Sequence, residues 1–314
     1  MTIRIPIIFF VSSLLLWTFS PVFAAGDLAG TTGLGFLEIG MGARATGMGG
    51  AFIAVADDAS SLYWNPAGIS KVNGIQANLS YTRWLVDMNL SAGAIVIPAG
   101  RYGNWGFSYL GFDFGEEEVT TPEQQYGTGA NYTNSGLALG VAYAIELTDR
   151  FAFGAQAKWV QEKLWTESTT GFMLDIGSQY RTYFHALRLG MSLRHYGADR
   201  KYLDKYVPAP WTFSVGVAFD PVGAAGKTHH ITVSSNATFY NSYGERMEYG
   251  AEYWFNSLIA LRTGYRAGTH AEGMSFGAGL RLDLIGREWR LDMAYTDYHE
   301  AFDAPLRFSF EVKL

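Results

Sequence analysis

The sequence predicts an all-β protein: a transmembrane antiparallel β-barrel of about 14 strands, preceded by a small plug that contains a short helix. Composition is the first observation behind this prediction. Aromatic residues make up 16% of the chain and charged residues only 17%, below the roughly 25% of soluble domains. The second observation is an alternation of apolar and polar residues over about ten to twelve positions, the length that a tilted strand needs to cross a bilayer. The third is an N-terminal export signal.

Residues 1–24 are predicted to be a signal peptide. Arg4 gives a basic start, the run from Ile5 to Phe19 is mostly apolar, and Ala24 supplies a small residue where a signal peptidase cleaves. The alternative, a membrane anchor, is disfavoured because the run is short. The absence of cysteine excludes a disulfide scaffold and a lipoprotein anchor. The 29 acidic against 23 basic residues argue against a nucleic-acid partner, since phosphate binding needs a basic surface.

Residues 74–314 are predicted to form the barrel. For example, Met274 and Phe276 alternate with Ser275 and Gly277, which places the two sets on opposite faces of a strand. A soluble sandwich alternates too, but its strands are nearer five or six residues long. The predicted strands are 75–84, 89–98, 104–114, 132–147, 151–164, 170–181, 185–197, 209–220, 228–240, 245–255, 258–267, 273–285, 288–298 and 305–314. An even count places both ends of the chain in the periplasm.

The connections predict which end of the barrel faces outwards, because periplasmic turns are short and outer loops are longer. The two longest connections, 115–131 and 198–208, are predicted to be outer loops. Short turns are expected near 98–103, 148–150, 181–184, 256–257 and 286–287. Some of these are expected on the outer side, and the connection 220–227 is longer than a periplasmic turn should be. The expected pattern is therefore irregular.

The polar faces of four late strands carry charges of both signs. These candidate lumen charges are Arg246, Glu248, Glu252, Arg262, Arg266, Arg281, Asp283, Arg290 and Asp292. Mixed signs predict a paired network that fills the interior, because buried charges are normally paired. The alternative is a lining that guides a polar substrate.

Residues 25–73 are rich in glycine and other small residues, and we expect them to pack inside the lumen as a plug or hatch. The stretch 57–64 is predicted to form one or two helical turns, with acidic residues at the N-terminal end where the helix dipole favours them. Asn65-Pro66 should stop it, because the residue before proline is pushed out of the α region. The candidate hatch residues are Asp57, Asp58, Asn65, Pro66, Ala67 and Gly68.

The runs 36–52, 56–59 and 64–68 resemble the N-terminal signature of the PorV/PorQ family, which is related to the FadL-like outer-membrane barrels. The signature positions are Gly40, Gly42, Arg44, Gly47, Gly49 and Gly50. The likeness continues at 249–255, at 260–265 and in the C-terminal strands, so it covers nearly the whole mature chain. The resemblance implies a fourteen-stranded barrel with an N-terminal segment packed in its lumen.

The resemblance also implies two kinds of role. PorV serves the type IX secretion system by receiving cargo proteins and handing them to the attachment machinery, whereas FadL-like relatives pass hydrophobic molecules laterally or through a hatch. This chain departs from the FadL-type transporters because it is shorter and its longest predicted outer loop is polar, with Glu116, Glu117 and Glu118. That difference argues against fatty-acid uptake.

Other constellations do not favour catalysis or a cofactor. The run 40–45 matches a dinucleotide pattern by letter, but it lacks the βαβ unit that the mechanism needs. His229 and His230 are adjacent in a strand and should point to opposite faces, and no zinc spacing occurs. Six tryptophans are predicted to lie in the aromatic girdles rather than to stack on a ligand. They are Trp105, Trp159, Trp165, Trp211, Trp254 and Trp289.

Three functions from different classes remain. The main hypothesis is a non-enzymatic outer-membrane barrel of a Gram-negative-type bacterium, with lipid around it, no cofactor, and secreted proteins or other secretion components as partners at its outer loops. The alternative is a channel for small hydrophobic solutes that is gated by Asn65–Gly68. The third is an outer-membrane hydrolase, which no nucleophile-elbow motif supports.

Overall fold

The computed structural model describes residues 32–184, 186–202, 205–223, 227–242, 244–269, 271–298 and 303–314. The predicted signal peptide, residues 1–24, lies outside the described residues, as do residues 25–31 of the predicted plug. In the ranges that the structure describes, no helix is long and apolar enough to cross a membrane.

The strands follow the alternation that the sequence shows. They are β1 Gln76–Arg83, β2 Asn89–Pro98, β3 Asn104–Glu118, β4 Asn131–Thr148, β5 Phe151–Leu164, β6 Glu167–Arg181, β7 Arg188–Tyr196, β8 Arg200–Tyr202, β9 Lys205–Val207, β10 Thr212–Val222, β11 His229–Tyr240, β12 Glu245–Phe255, β13 Ile259–Ala267, β14 Met274–Leu284, β15 Arg287–Thr296 and β16 Leu306–Lys313. Fourteen of them close into one antiparallel barrel, in which β1 pairs with β16 and β7 pairs with β10. The predicted fold class and strand number are confirmed.

The strand bounds differ from the predicted ones mainly around β7 and β10. Predicted strands 185–197 and 209–220 are observed as Arg188–Tyr196 and Thr212–Val222. The connection between them contains the separate two-stranded hairpin β8–β9, whose three-residue strands are too short to show an alternation. Strands β3 and β4 also run into the predicted loop 115–131, so the loop itself is shorter than expected.

All five predicted short turns lie at one end of the barrel, which we call the turn end, because β1 begins and β16 ends there. The expectation that some of them fall on the outer side was wrong. The connection after β10 lies at the turn end too, whereas 119–130 and 197–211 lie at the opposite loop end. Since periplasmic turns are short and outer loops longer, the turn end corresponds to the periplasmic side.

Outward-facing and inward-facing residues alternate along each strand. Outward positions are apolar, as at Leu261 and Phe308, and they are exposed in the isolated chain because lipid covers them in a membrane. Trp105 stacks near Tyr143 at the turn end, as a girdle residue should. Trp254 was wrongly assigned to the girdle, because its side chain is buried in the lumen, 4.4 Å from the guanidinium of Arg281.

The plug, residues 32–73, crosses the lumen from the loop end to the turn end. Its short helices are η1 Gly35–Glu38, α1 Ala43–Gly47, η2 Ala59–Tyr63 and η3 Pro66–Lys71. At the loop end the Gly33 amide donates to the Pro208 carbonyl at 3.3 Å. At the turn end Asn104 Nδ2 donates to the Val72 carbonyl at 2.8 Å.

Glycines on the inner wall let the plug backbone approach the strands closely. A Cβ added at Gly264 would lie 2.1 Å from the Gly49 nitrogen, and one at Gly190 would lie 2.6 Å from the Ile53 oxygen. A Cβ at Gly154 would lie 2.5 Å from the carbonyl carbon of Pro66. No real side chain tolerates such distances to backbone, so the plug and the wall fit each other only because these strands carry glycine where the plug passes.

We expect Gly264→Ala to destabilise the folded barrel by about 1–3 kcal/mol, because the new methyl group overpacks the contact with Gly49. The measurement is the thermal midpoint of the heat-modifiable band shift in detergent. Gly93→Ala is the matched control, since its Cβ would find only the flexible end of Leu79 at 3.4 Å. Equal midpoints for the two variants would contradict the close-packing argument.

Candidate functional site in the barrel lumen

Arg44 in α1 connects the plug to the barrel wall through charge-assisted hydrogen bonds. Its Nε and Nη2 atoms donate to the two carboxylate oxygens of Glu252 in β12, each at 3.0 Å. Its Nη1 atom donates to Asp57 at 2.5 Å and to Asp58 at 2.8 Å. Burial would lower the pKa of Arg44, but Asp57, Glu252 and Asp58 raise it well above its usual range, so the guanidinium stays charged.

Besides Glu252 in β12, the wall residues of this network lie in β13, β15 and β16. Arg290 Nη2 donates to Asp58 at 2.6 Å and to Glu311 at 3.0 Å, and its Nε donates to Asp292 at 2.9 Å. Arg262 in turn contacts Asp292 at 2.7 Å. Every one of these side chains is buried. Bidentate and shared guanidinium–carboxylate contacts of this kind offset the cost of burying charge, and among the described atoms of the network Arg262 Nη2 is left without a hydrogen-bond partner.

Asp58 also determines where η2 begins. Its carboxylate accepts from the Ser60 amide at 3.0 Å, and the Ser61 hydroxyl accepts from the Asp58 amide at 3.2 Å, which forms a capping box. Burial would raise the pKa of Asp58, but Arg290 and Arg44 together hold it well below the usual range of a carboxyl group. One ionised carboxylate therefore caps a helix and bonds to both the plug and the wall.

The candidate hatch residues Asn65–Gly68 fasten the plug to β6. Asn65 is fully buried, and its Nδ2 atom donates to the Ile53 carbonyl at 2.9 Å and to the Ser178 carbonyl at 3.1 Å. Its Oδ1 atom accepts from the Ala67 amide at 3.1 Å and caps η3, in which Pro66 occupies the first turn. A Cβ at Gly68 would lie 2.7 Å from the Ala56 oxygen, so glycine is needed there for close packing.

The signature glycines lie around α1, on the side of the lumen that β13 and β14 form. Gly49 and Gly50 have φ of 65° and 86°, a left-handed conformation that only glycine adopts without strain, and they turn the chain after α1. Gly42 lies directly before α1. Gly40 passes beside Trp64, and a Cβ on Gly47 would lie 3.1 Å from the Cα atom of Gly277 in β14. The signature glycines thus allow the segment that carries Arg44 to lie against β13 and β14.

The candidate lumen charges fall into three groups. Glu252, Arg262, Arg290 and Asp292 belong to the buried network with Arg44, whereas Arg266 contacts Glu248 and Glu272 nearer the loop end. Arg246 lies half-buried at the loop end, 4.9 Å from the ring centre of Tyr240. Arg281 is half-buried and lies 3.4 Å from Glu288, and Asp283 is exposed at the turn end of β14. These last two therefore lie outside the buried network.

A second buried polar cluster was missed by sequence reasoning. Lys158 Nζ lies 2.7 Å from Asp175 Oδ2 and 2.7 Å from His195 Nδ1, and the His195 amide donates to Asp175 at 2.7 Å. His195 has φ of 58° at an irregularity in the pairing of β6 with β7, which turns its ring inwards. The polar faces of β5 and β6 could have indicated the lysine and the aspartate, but not the bulge that brings the histidine to them. The described residues contain no group of three or more His, Asp or Glu side chains arranged to hold a metal ion.

Beside strands β2–β6, the lumen near the loop end is apolar and filled. Phe36 stacks on Phe112 with ring centres 6.2 Å apart, and Leu34, Leu37 and Met41 pack into the same cluster. A cavity of about 20 Å³ remains beside Leu37 and Met41, room for about one water molecule. The plug thus occupies the space that an apolar solute would need.

These features define a class of protein: an outer-membrane-type β-barrel whose lumen is filled by its own N-terminal segment. The sequence model of the family described as type IX secretion system protein PorV matches residues 24–220, more than half of the chain. The chain therefore belongs to the PorV family, and the predicted family is confirmed. Family and fold are those of secretion and channel barrels.

Several solved structures have the same fold. The CymD monoaromatic hydrocarbon channel has a TM-score of 0.59 at 12% identity and aligns over 87% of this chain and 97% of its own. The Pseudomonas putida toluene transporter TodX has a TM-score of 0.56 at 13% identity, over 87% and 97%. A Pseudomonas aeruginosa FadL homologue has a TM-score of 0.56 at 9% identity, over 87% and 98%. A search among curated proteins found no match.

We expect Asp58→Asn to destabilise the protein by about 3–5 kcal/mol at pH 7, because Arg44 and Arg290 lose a shared buried anion. The pKa of Asp58 is lowered on folding, so its contribution is present above the ordinary carboxyl pKa and is lost as the pH falls towards the folded value. The difference between wild type and variant should therefore shrink below about pH 4.

Thermal unfolding in detergent from pH 7 to pH 3 measures this difference. Asp87→Asn is the control, since Asp87 pairs with Arg83 at 3.5 Å on the surface, where the two side chains are 90% and 68% exposed, and such pairs contribute about 0–1 kcal/mol. A midpoint of Asp58→Asn equal to that of the control would show that the network does not hold the plug.

Proposed function

We propose that this barrel acts in type IX secretion without enzymatic activity and without a cofactor, in the outer membrane of a Gram-negative-type bacterium. Its partners are secreted proteins or other components of the secretion system, bound at the outer loops 115–131 and 198–208. One observation carries the proposal: the lumen is occupied by a plug that buried ion pairs attach to the wall. Substrates are therefore handled at the loop end rather than passed through the barrel.

The two outer connections differ in charge and are held in place by the barrel. The β3–β4 hairpin carries Glu116, Glu117 and Glu118, and Glu118 accepts from the Gly129 amide at 3.0 Å. The β8–β9 hairpin carries basic residues, and Tyr202 in it donates a short hydrogen bond to Glu162 in β5. A face with an acidic hairpin and a basic hairpin favours protein partners, because complementary charge steers association.

A specific observation also favours the alternative, a channel for small hydrophobic solutes. The fold is that of hydrocarbon channels, and the loop half of the lumen is lined by apolar side chains. In this mechanism the segment that carries Phe36 and Met41 would leave its apolar cluster, and Asn65 would release the Ile53 and Ser178 carbonyls. The two functions therefore differ in whether the plug must move.

A disulfide between plug and wall distinguishes them. A Cβ on Gly47 would lie 3.6 Å from the Cβ of Ala294, within the range of a disulfide, and the chain has no other cysteine. We expect the oxidised double variant Gly47→Cys/Ala294→Cys to support secretion of a type IX cargo protein as well as its reduced form does. The measurement is cargo release in a strain that lacks the wild-type gene.

The single variant Gly47→Cys controls for the tight contact with Gly277. Loss of secretion on oxidation alone would contradict a static plug. Uptake of toluene into liposomes by the reduced but not the oxidised barrel would support the hatch-gated channel instead.

A photo-crosslinking amino acid at Tyr126 or Tyr206 should trap secreted proteins in cells that export them, because both positions are exposed at the loop end, by 101% and 72%. The same substitution at Tyr183, which is 84% exposed at the turn end, is the matched control. Adducts are detected by mass spectrometry of the purified barrel. Equal adducts at all three positions, or adducts at Tyr183 alone, would argue against cargo binding by the outer loops.

A further inference from the structure

A polar cavity of about 150 Å³ lies at the loop end, between the plug and the outer ends of β11–β16 and β1. The side chains that give it its chemistry are Glu38, Trp84, Arg246, Arg266, Glu272 and Arg307. This volume equals roughly five water molecules, so it holds a group of a few heavy atoms. The cavity is distinct from the Arg44 network, which lies deeper in the lumen.

Arg307 is a buried cation of this cavity that forms no direct ion pair among the described residues. Its side chain is 3% exposed, its Nη1 donates to the Thr296 hydroxyl at 2.9 Å, and its Nε has no hydrogen-bond partner among the described residues. Within the part of the chain that the structure describes, Arg307 forms no direct ion pair, and it interacts with the Tyr298 side chain and, at longer range, with Glu272. Its guanidinium lies 5.1 Å from the ring centre of Trp84. A buried guanidinium without an anionic partner is costly, which indicates that an anion belongs beside it.

The carboxylates near Arg307 in the described ranges have closer partners than Arg307. Glu272 contacts Arg266 and accepts from the Tyr298 hydroxyl at 2.6 Å, and Glu248 also lies at 3.6 Å from Arg266. Glu38, in η1 of the plug, accepts from the Ser242 hydroxyl at 3.0 Å. Burial raises the pKa of Glu38 to about 7 against the opposing effects of Ser242 and nearby arginines, so near neutral pH Glu38 is only partly ionised.

We propose that this cavity binds a small oxyanion, a carboxylate or phosphate group, with Arg307 as the anchoring cation and Trp84 and Thr296 beside it. The lining side chains face the lumen, so the anion enters from the aqueous loop end and is not a lipid headgroup outside the wall. Glu38 competes with it, because an ionised Glu38 places a negative charge in the same cavity. The site is independent of whether the outer loops bind cargo.

The test uses the full chain in non-ionic detergent, titrated with inorganic phosphate at constant ionic strength. The thermal midpoint and the tryptophan fluorescence are followed together. The wild type should show saturable changes in both. Arg307→Gln should weaken the apparent affinity about tenfold or more, because a charge-assisted contact is lost. Trp84→Phe should remove the fluorescence change while the midpoint still rises.

Two further variants keep the test decisive. Glu38→Gln should bind phosphate several-fold more tightly than the wild type, since the competing charge is gone while the oxygen that accepts from Ser242 remains. Arg281→Gln, at the turn end, is the matched control and should leave the titration unchanged. A response of the wild type that does not saturate overturns the proposal, as does an equal affinity in Arg307→Gln. Should Arg307→Gln fail to fold, an affinity of Glu38→Gln equal to that of the wild type overturns it.

Discussion

The carboxylate of Asp58 lies between two guanidinium groups, that of Arg44 in the plug and that of Arg290 in the barrel wall. The contact between Asp58 and Arg290 joins residues 232 positions apart in the chain, and the arrangement of the lumen depends on both contacts. Arg44 also bonds to Glu252, and Arg290 to Glu311, so strands β12, β15 and β16 meet at the same point. Without this shared anion, both guanidinium groups would stay buried with fewer carboxylate partners, which is costly.

The ion pairs need a fixed geometry, and the glycines of the wall let the plug come close enough to form them. Close backbone approach at Gly264 and Gly154 leaves no layer of side chains between plug and strand. The ion pairs and the packing therefore reinforce each other, since a shift of the plug by the width of a methyl group would disturb both. Movement of the plug would therefore have to break both sets of contacts.

Much of this architecture could be predicted because a barrel strand alternates strictly between lipid and lumen. All fourteen barrel strands and the inward position of Glu252, Arg262 and Arg290 follow from that period of two. The pairing of these charges with Arg44 and Asp58 could not be predicted, since no local pattern reports contacts between distant segments. His195 was missed for a different reason: a pairing irregularity changes which side a residue faces, and alternation assumes that none occurs.

The direction of the plug has a consequence for biogenesis. The segment after Gly33 begins at the loop end and reaches the turn end before β1 starts, while the seam between β1 and β16 joins the first and last barrel strands. The part of the chain that is synthesised first is therefore enclosed by the part that is synthesised last. Since the plug fills the lumen, we expect it to be in place before the seam between β1 and β16 closes.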